Sequence, residues 1–440
     1  MKRDIYALLQ EWKNDNNRRP LLLRGARQVG KTYIVNKFGQ KEFDSFITLN
    51  FEKNPEYKDI FQSLVPEDII ERIALFTGMR VIPGKTLLFF DEVQDCAAAI
   101  MALRYFYEEK QALHIIAAGS LLEFTIKSKD FRMPVGRVQY IYLFPLSFSE
   151  FLEALGETAL RDHISNPTHL KLIPDALHQK LNEYIKKYFL IGGMPAVVNQ
   201  YITSHDIIAC QRIQRLIIDT YLDDFGKYAR KIKHRYLTKI FNAVPTMVGR
   251  KFKYSHVDNT IKSRELKEAL ELLEMAGVVR KIKKTSGAGL PLEAGVKEQH
   301  FKVLFMDVGL LHAANEIYSD TAQAKDFTTL FHGAVAEQFV GQELLAYQNP
   351  YSKPSLYYWA RDAKNSSAEL DYLFQKNAAI IPIEVKSGSI GRMKSLFMFL
   401  DKYNSNCGLK ISQARYLEKE KILCLPLYSI ESFFKQQKLS

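Results

Sequence analysis

PLLLRGARQVGKTYIVNKFG, residues 20–39, joins an apolar run, a glycine-containing turn and a helical pattern. Within it, GARQVGKT at residues 25–32 matches the motif G-x-x-x-x-G-K-[ST] at every fixed position. The glycines at positions 25 and 30 let the backbone curl, so that successive N–H groups and the N-terminus of the following helix point towards bound phosphates. Because a strand precedes the turn and a helix follows it, the stretch predicts a nucleotide-binding α/β sheet.

The end of this motif assigns roles to two side chains. Lys31 is expected to reach the β- and γ-phosphates of ATP, and the hydroxyl of Thr32 is expected to hold Mg²⁺. We therefore predict ATP and Mg²⁺ as cofactors. The predicted ATP-binding residues are Gly25, Ala26, Arg27, Gln28, Val29, Gly30, Lys31, Thr32 and Tyr33 in the loop and the first helical turn, with Asp91 and Ser120 from later segments.

A second segment, KTLLFFDEVQD at residues 85–95, supplies carboxylates. Its apolar residues predict a strand buried on both faces, which places Asp91 and Glu92 at the carboxyl edge of the sheet, where open α/β folds bind ligands. Asp91 is expected to join Thr32 in the Mg²⁺ shell, and Glu92 is expected to be the base that orients the attacking water. The alternative is that the two acids form only the negative start of a helix.

Two further residues are candidates for contact with the γ-phosphate. LHIIAAG, residues 113–119, predicts a buried strand that ends at Ser120 and is similar to the sensor strand of AAA+-type ATPases; Ser120 could equally cap the next helix. Arg137 precedes a last predicted strand, and it is a candidate for the arginine that stabilises charge on the transferred phosphate. It would act in cis or from a neighbouring subunit of a homo-oligomer, or it is a surface arginine.

The middle of the chain is predicted to be helical. Residues 145–230 show helical spacing, broken at IGGMP, residues 191–195, and are predicted to form a lid over the nucleotide. Residues 251–284 predict a helix-turn-helix followed by a β-wing, with Ser263 as the N-cap of the second helix and Gly277 as its end. The apolar face of that helix consists of Leu266, Ala269, Leu270 and Leu273.

The opposite face of this helix has mixed charge. It carries Arg264 and Lys267 together with Glu268 and Glu271. Helices that bind DNA usually concentrate positive charge, so DNA contact and a packing or coupling role both stay open.

The C-terminal segment carries a second group of acids. A helix is predicted over residues 332–347 and contains Glu337; three strands follow, LYYWA, ELDYLF and AIIPIEVK. Alternation places Glu384 and Lys386 on one face of the third strand, and a hairpin would bring Asp371 and Glu384 together.

Two carboxylates bind a hard divalent cation, and a nearby lysine can position or deprotonate water. We therefore expect Glu337, Asp371 and Glu384 to be metal ligands. In a nuclease site, Asp371, Glu384 and Lys386 would be the catalytic residues. The alternative is a solvated strand face with an incidental Glu–Lys pair.

Composition sets broad limits on the function. The chain has 440 residues and a formal net charge of +12, which suits nucleotide or nucleic acid as a partner. Its 4 cysteines are scattered, so we expect neither a disulfide framework nor a zinc site. No apolar stretch reaches the length of a membrane span, so a cytoplasmic protein without a membrane partner is expected.

Taken together, these segments carry a resemblance to a known family. The matching stretches are GARQVGKT at 25–32, LLFFDEVQ at 87–94, AAGSLLEF at 117–124, VGR and LFPLSFSEF within 135–151, IGGMPAVV at 191–198, FMDVGLL at 305–311, ELDYLF and PIEVKSG. They resemble a prokaryotic family of AAA-type (AAA+-like) P-loop ATPases with a C-terminal domain of unknown function, DUF4143.

The resemblance implies a P-loop core, a winged helix and a C-terminal fold similar to the PD-(D/E)xK nucleases. The acidic, acidic and lysine positions of those nucleases match Asp371, Glu384 and Lys386. The Gln-x-x-x-Tyr element of some recombination nucleases does not follow Gly388.

The predicted fold class is α/β, with a parallel-sheet P-loop core, a helical lid, a winged helix and a restriction-endonuclease-like C-terminal domain. The predicted domains span residues 1–144, 145–230, 231–312 and 313–440. One functional hypothesis is an ATPase whose cycle moves or gates a DNA-binding C-terminal domain, with DNA cutting by that domain left open. The other is a nucleotide-dependent switch that binds a protein partner and whose acidic cluster is structural.

Overall fold

The structure, a computed structural model, describes residues 1–119, 136–228, 231–315, 327–362, 368–388 and 393–435. The chain divides into two compact units, Met1–Phe144 with Asn349–Lys353, and Pro145–Gln348 with Pro354–Ser440. The first predicted domain also ends at residue 144, while the division of the remainder into three domains stays a prediction.

The first unit is built from alternating strands and helices. Its strands are β1 Leu21–Arg24, β2 Ser45–Asn50, β3 Thr86–Asp91, β4 His114–Ala118 and β5 Gln139–Tyr142. Its α-helices are α1 Ile5–Asn14, α2 Lys31–Glu42, α3 Pro66–Thr77 and α4 Ala97–Glu109, with 3-10 turns at Pro55–Phe61 and Val93–Asp95.

These strands form one parallel sheet in the order β2-β3-β4-β1-β5. Every residue of β3 is buried, as its unbroken apolar sequence predicts for a strand covered on both faces. Burying each of its Leu and Phe side chains contributes about 1.5–3 kcal/mol. The parallel α/β core predicted from the sequence is confirmed, and it places the loops after β1 and β3 at the same carboxyl edge.

The second unit contains more helix. Its α-helices are α5 Phe148–Ala154, α6 Thr158–Ser165, α7 Pro167–Leu170, α8 Asp175–Ile191, α9 Pro195–Ser204, α10 Ile207–Tyr228, α11 Lys231–Met247, α12 Tyr254–Val257, α13 Ser263–Met275, α14 Val308–Ala314, α15 Phe327–Ala346, α16 Lys394–Tyr403 and α17 Ile430–Lys435. Its strands are β6 Val279–Thr285, β7 Val296–Phe305, β8 Leu356–Ala360, β9 Glu369–Lys376, β10 Ala379–Val385, β11 Gly408–Ser412, β12 Leu417–Lys419 and β13 Ile422–Pro426.

A single mixed sheet runs through this unit in the order β12-β13-β11-β10-β9-β8-β6-β7. The three strands predicted from LYYWA, ELDYLF and AIIPIEVK are confirmed as β8, β9 and β10. Strand β6 begins within the segment predicted as a helix-turn-helix and wing, residues 251–284, and it forms a hairpin with β7, which lies beyond that segment. Strand β6 also pairs in parallel with β8. The sheet therefore crosses the predicted domain boundary at residues 312/313.

The second helix of the predicted helix-turn-helix is α13, and its buried face is the predicted one: Leu266, Ala269, Leu270 and Leu273. Gly277 follows the helix with a φ of 76°, a conformation that glycine adopts without strain. The predicted cap was wrong by one residue, because Lys262 occupies the cap position and makes no side-chain cap hydrogen bond, while Ser263 is the first helical residue.

The predicted helical segment before it is also present. α8 ends at Ile191, Gly192 has a φ of 75°, and α9 begins at Pro195, so the predicted break at IGGMP is confirmed. These helices belong to the second compact unit. Their role as a lid stays a prediction. None of the helices in the described ranges is both long and apolar enough for a membrane span.

Candidate functional site

The phosphate loop follows β1 and leads into α2, as its sequence predicts. Its backbone takes left-handed conformations at Gln28, with φ 63°, and at Gly30, with φ 96°. At Gly25, an added Cβ would lie 2.3 Å from the carbonyl oxygen of Leu143. A larger residue there would push the loop away from the end of the neighbouring strand, so the motif glycines are required by contact at Gly25 and by conformation at Gly30.

The loop encloses the side chain of Lys31, which is only 8% exposed. Its Nζ donates hydrogen bonds to the carbonyl oxygens of Gly25 and Ala26, both at 2.9 Å. Burial lowers the pKa of Lys31 to about 8, against the attraction of the Glu92 and Asp91 carboxylates. The ammonium group is thus held by neutral carbonyl oxygens. A negatively charged phosphate oxygen could replace them, because it accepts a stronger hydrogen bond from the ammonium.

Asp91 ends β3 opposite Asn50 of β2, and it is 3% exposed. The Thr32 hydroxyl donates to both oxygens of the Asp91 carboxylate at 3.2 Å, and Asn50 Nδ2 donates to Oδ2 at 3.0 Å. Burial and the neighbouring Glu92 raise the pKa of Asp91, while these hydrogen bonds oppose the rise. Hydroxyl and carboxylate oxygens are ligands of Mg²⁺ in proteins, so Thr32 and Asp91 fit the predicted ion.

Glu92 lies just beyond the strand in a left-handed conformation, with φ 50°. A non-glycine residue in this conformation costs roughly 1–2 kcal/mol, a form of strain found most often at functional sites. Gln94 Nε2 donates to Glu92 Oε2 at 2.8 Å and so orients the carboxylate. Glu92 caps only a three-residue 3-10 turn and makes no side-chain cap hydrogen bond, which weakens the alternative that it serves to start a helix.

The prediction missed three polar side chains around this edge: Asn50, Gln94 and Arg3. Asn50 could have been found, because it ends a strand next to the one that ends at Asp91. Arg3 donates to the carbonyl oxygens of Val29 at 3.0 Å and Phe144 at 2.7 Å. It lies in the charged N-terminal segment, which carries no motif that would have indicated this role.

Arg137 does not lie at this edge. It precedes β5, and its Nε donates to Glu108 Oε1 at 3.0 Å at the end of α4. Since β5 runs parallel to β1, Arg137 lies at the amino end of the sheet, and about 13 Å of strand separates that end from the phosphate loop. The predicted action of Arg137 in cis is therefore wrong, while action between subunits stays a prediction. Ser120 lies outside the described residues.

In the second unit, the predicted acids surround a lysine. Lys302 of β7 is 1% exposed, and its Nζ donates to Glu337 Oε1 at 2.8 Å. The same Nζ lies 2.7 Å from Glu369 Oε1 and 3.7 Å from Asp371 Oδ1. We call Lys302, Glu337, Glu369 and Asp371 the Lys302 cluster.

The predicted β9–β10 hairpin brings the remaining residues beside this cluster. The N–H of Val385 donates to Asp371 Oδ2 at 2.7 Å, next to Glu384. Lys386 forms an ion pair with Glu384 Oε1. Glu384 is 7% exposed, and its Oε2 is buried without a hydrogen-bond partner among the residues that the structure describes. The sequence thus correctly places Asp371, Glu384 and Lys386 together.

The charged groups in this region shift one another's pKa values. Burial, with the charge of Asp371, raises the pKa of Glu337 to about 7 against the attraction of Lys302. Burial also raises the pKa values of Asp371 and Glu384. Burial alone would lower the pKa of Lys302, but the attraction of Glu337, Asp371 and Glu369 outweighs it, so the pKa lies above its ordinary value.

The metal ligands predicted in the second unit, Glu337, Asp371 and Glu384, do not fit a divalent ion as they stand. In the described part of the chain, no three His, Cys, Asp or Glu side chains are arranged to hold a metal. Instead, the ammonium of Lys302 lies against Glu337 and Asp371. The prediction missed Lys302 and Glu369; the signal was a lysine within the apolar run at residues 301–311.

Two motifs that the sequence leaves without a role meet in a buried contact of the same unit. Asp307, from FMDVGLL, accepts hydrogen bonds from the N–H groups of Gly193 at 2.7 Å and Leu310 at 3.0 Å. At Gly192, a Cβ would lie 2.0 Å from Asp307 Oδ1, so this glycine makes room for the carboxylate. Burial raises the pKa of Asp307 to about 6, although the backbone hydrogen bonds oppose the rise. The motifs IGGMP and FMDVGLL are therefore partners in packing.

Comparison with known protein families identifies three segments of the chain. Residues 17–152 match the model of an AAA domain, AAA_14. Residues 182–321 match a domain of unknown function, DUF8612, and residues 332–430 match a second one, DUF4143. No curated protein matches the chain.

Solved structures give weaker likenesses. The Walker-type ATPase PABY2304 of Pyrococcus abyssi is 16% identical, with a TM-score of 0.45 over 71% of this chain and 95% of that one. The Aeropyrum pernix ORC2 protein is 12% identical, with a TM-score of 0.35 over 73% and 96% of the two chains. The Thermotoga maritima RuvB Holliday junction branch migration motor is 15% identical, with a TM-score of 0.28 over 63% and 87%.

The family match at residues 17–152 spans the loop, the parallel sheet and the acidic strand end described above. The match at residues 332–430 covers most of α15 and the strands that carry Asp371 and Glu384. The chain therefore contains an AAA-type P-loop ATPase domain followed, towards its C-terminus, by a DUF4143 domain.

Proposed function

We propose that the first unit binds ATP with Mg²⁺ and hydrolyses it, and that this cycle regulates a binding activity of the second unit. The observation that supports hydrolysis is the joint position of Lys31, Thr32, Asp91 and Glu92 at one edge of the parallel sheet. A loop that only bound phosphate would not need an oriented acid next to the strand end.

Each residue would contribute a separate step. Bound Mg²⁺ would neutralise part of the phosphate charge. Lys31 would exchange the carbonyl oxygens of Gly25 and Ala26 for phosphate oxygens, and Thr32 would share the ion shell with Asp91. Glu92, oriented by its hydrogen bond from Gln94, would accept a proton from the attacking water.

The experiment that tests this proposal is ATP turnover by the full chain in Mg²⁺. Lys31→Ala removes the buried ammonium and is expected to lower turnover by about 100-fold or more, the usual cost of losing one group that stabilises developing charge. Lys53→Ala, an exposed lysine of the same unit, is the matched control and should leave turnover unchanged. Equal turnover in wild type and Lys31→Ala would contradict the proposal.

For the second unit, we propose DNA as the partner, bound through α13 and the β6–β7 hairpin. The order of helix, turn, helix and hairpin and the net charge of +12 support this proposal. The test is DNA affinity at several salt concentrations, with ATP turnover measured in the same mixtures. Affinity that falls with salt, together with turnover stimulated by DNA, is the expected result.

One observation favours the second candidate, a nucleotide-dependent switch with a protein partner. Arg264 and Lys267 of α13 lie 3.8 Å and 4.0 Å from Glu268 and Glu271, so that the cations of this face are near carboxylates of the same helix. Turnover and assembly that depend on nucleotide but ignore DNA would support this candidate and contradict the first.

We also propose an assembly and a cellular location. A homo-oligomer in which Arg137 acts on the nucleotide of a neighbour would give turnover that rises with protein concentration, and Arg137→Ala would remove that rise. Sedimentation with and without ATP would test the assembly itself. A cytoplasmic location, proposed from the apolar pattern of the sequence, is testable by cell fractionation.

A further inference from the structure

The Lys302 cluster combines features that are unusual for a lysine. The side chain is 1% exposed, and its ammonium lies within 3.7 Å of oxygens from Glu337, Glu369 and Asp371. The ring of Tyr358 lies 5.4 Å from the same ammonium and adds a further attraction. Burial of a cation is costly unless it is paired, and here the pairing is multiple.

The residues of the Lys302 cluster come from three different elements. Lys302 extends from β7, Glu337 from α15, and Glu369 and Asp371 from β9. A lysine on the surface could turn away to admit a metal ion, but this one is enclosed by those elements. Removing the ammonium from its carboxylates would leave buried charges without a partner, which typically costs about 3–5 kcal/mol.

A divalent ion and the ammonium need the same oxygens. Mg²⁺ binds oxygen ligands at about 2.0–2.1 Å. An ion on Glu337 Oε1 or Asp371 Oδ1 would therefore lie beside Lys302 Nζ, which is 2.8 Å and 3.7 Å from these atoms. Repulsion between the two cations would be strong in a site closed to water.

We propose that Lys302 is the resident cation of this acidic cluster, so that the second unit has no room for the divalent ion of a nuclease and holds a latent metal site that opens when Lys302 is removed. The ligands of the latent site are oxygens of Glu337, Glu369 and Asp371, and the ions it would take are Mg²⁺ and Mn²⁺. The proposal does not depend on ATP hydrolysis by the first unit.

The neighbouring Glu384 shows where the proposal can fail. Among the described residues, its Oε2 is buried and has no hydrogen-bond partner, although the other oxygen pairs with Lys386. A divalent ion bound by the wild-type chain would use this oxygen together with Asp371, and the comparison of wild type with Asp371→Asn detects such an ion.

The test is Mn²⁺ binding by the full chain without nucleotide, followed by the electron paramagnetic resonance signal of free Mn²⁺. Four proteins are compared: wild type, Asp371→Asn, Lys302→Ala and Lys302→Ala with Asp371→Asn. Any ion held at the phosphate loop is common to all four and cancels. Lys302→Ala is expected to bind one additional Mn²⁺, at least about tenfold more tightly than wild type does, and the double variant is expected to lose it.

Two controls keep the outcome decisive. Lys302→Met preserves the length of the side chain if Lys302→Ala does not fold, and near-ultraviolet circular dichroism checks both variants. The wild-type comparison stands even if both unfold. Mn²⁺ bound by wild type and released in Asp371→Asn would overturn the proposal, whereas equal binding by these two proteins supports it. A folded Lys302→Ala or Lys302→Met that gains no ion would also overturn it.

Discussion

Lys31 in the first unit and Lys302 in the second are both buried, with exposed fractions of 8% and 1%. The phosphate loop surrounds Lys31 with neutral carbonyl oxygens, and burial lowers its pKa to about 8. The Lys302 cluster surrounds its lysine with carboxylates, and these raise its pKa above the ordinary value against the effect of burial. A buried cation with neutral partners can receive an anion, while one with anionic partners is already satisfied.

The largest expected effect comes from removing the charge of Lys302. Lys302→Met leaves the buried carboxylates of Glu337 and Asp371 without their cation, and we expect the second unit to lose about 3–5 kcal/mol of unfolding free energy. Urea unfolding of a Trp12→Phe background measures this, because Trp359 of the second unit is then the single tryptophan of a chain that has 2.

The matched control for that variant is Lys297→Met in the same strand. Lys297 pairs with Asp362 at 2.7 Å, and its side chain is 48% exposed. An exposed pair of this kind contributes at most about 1 kcal/mol. If both variants lost the same stability, the distinction between the enclosed and the exposed lysine would fail.

The next largest effect is expected for Glu92, the acid near Lys31 of the phosphate loop. Glu92→Gln keeps the size of the side chain but removes the proton acceptor, so ATP turnover should fall by about 100-fold while ATP binding persists. Nucleotide binding by fluorescence titration and phosphate release by a coupled assay separate the two. Glu52→Gln, an exposed glutamate of the same unit, should change neither. Loss of binding together with turnover would assign Glu92 a structural role instead.

A pH titration of ATP binding should detect the lowered pKa of Lys31. The pKa of Lys31 is lowered to about 8, so its charge is present below pH 8 and is lost as the pH rises through that value. We expect ATP affinity to fall by about tenfold between pH 7 and pH 9. Lys31→Arg stays charged over this range and should show little of this fall. An equal fall in both proteins would mean that another group titrates.

The smallest effect is expected for the exposed cations of α13. Arg264→Ala with Lys267→Ala removes two exposed groups of α13, and the free energy of unfolding should change by no more than about 0.5 kcal/mol. If DNA binds this face, its affinity should fall, and the salt dependence should weaken by about one ion for each lost phosphate contact. Unchanged DNA binding would move the proposed interface away from α13.

The two units also differ in how far the sequence predicts them. In the first, a fixed spacing of glycine, lysine and threonine determines both the backbone and the chemistry, so the position of Lys31 and Asp91 could be predicted from local sequence. The position of Arg137 could not be predicted, because a single arginine belongs to no motif that fixes its place. Only the parallel pairing of β5 with β1 shows at which end of the sheet Arg137 lies.

In the second unit, alternation and a short turn were sufficient to predict that Asp371 and Glu384 meet across a hairpin. The same reasoning could not find Lys302, which is 69 residues before Asp371 in the 440-residue sequence and reaches it only through the fold of the whole sheet. A pattern of acids in a sequence indicates where charge collects, but not which cation neutralises it.

The pairing of β6 with β8 has a consequence for how this chain can be divided. Ile282, Lys283 and Lys284 align with Leu356, Tyr357 and Tyr358, so the hydrogen bonds of one sheet join the segments matched by DUF8612 and DUF4143. A fragment that began at residue 313 would leave the edge of β8 open to pairing with other chains, and aggregation is the expected result. We therefore expect the two segments to fold together rather than as separate domains.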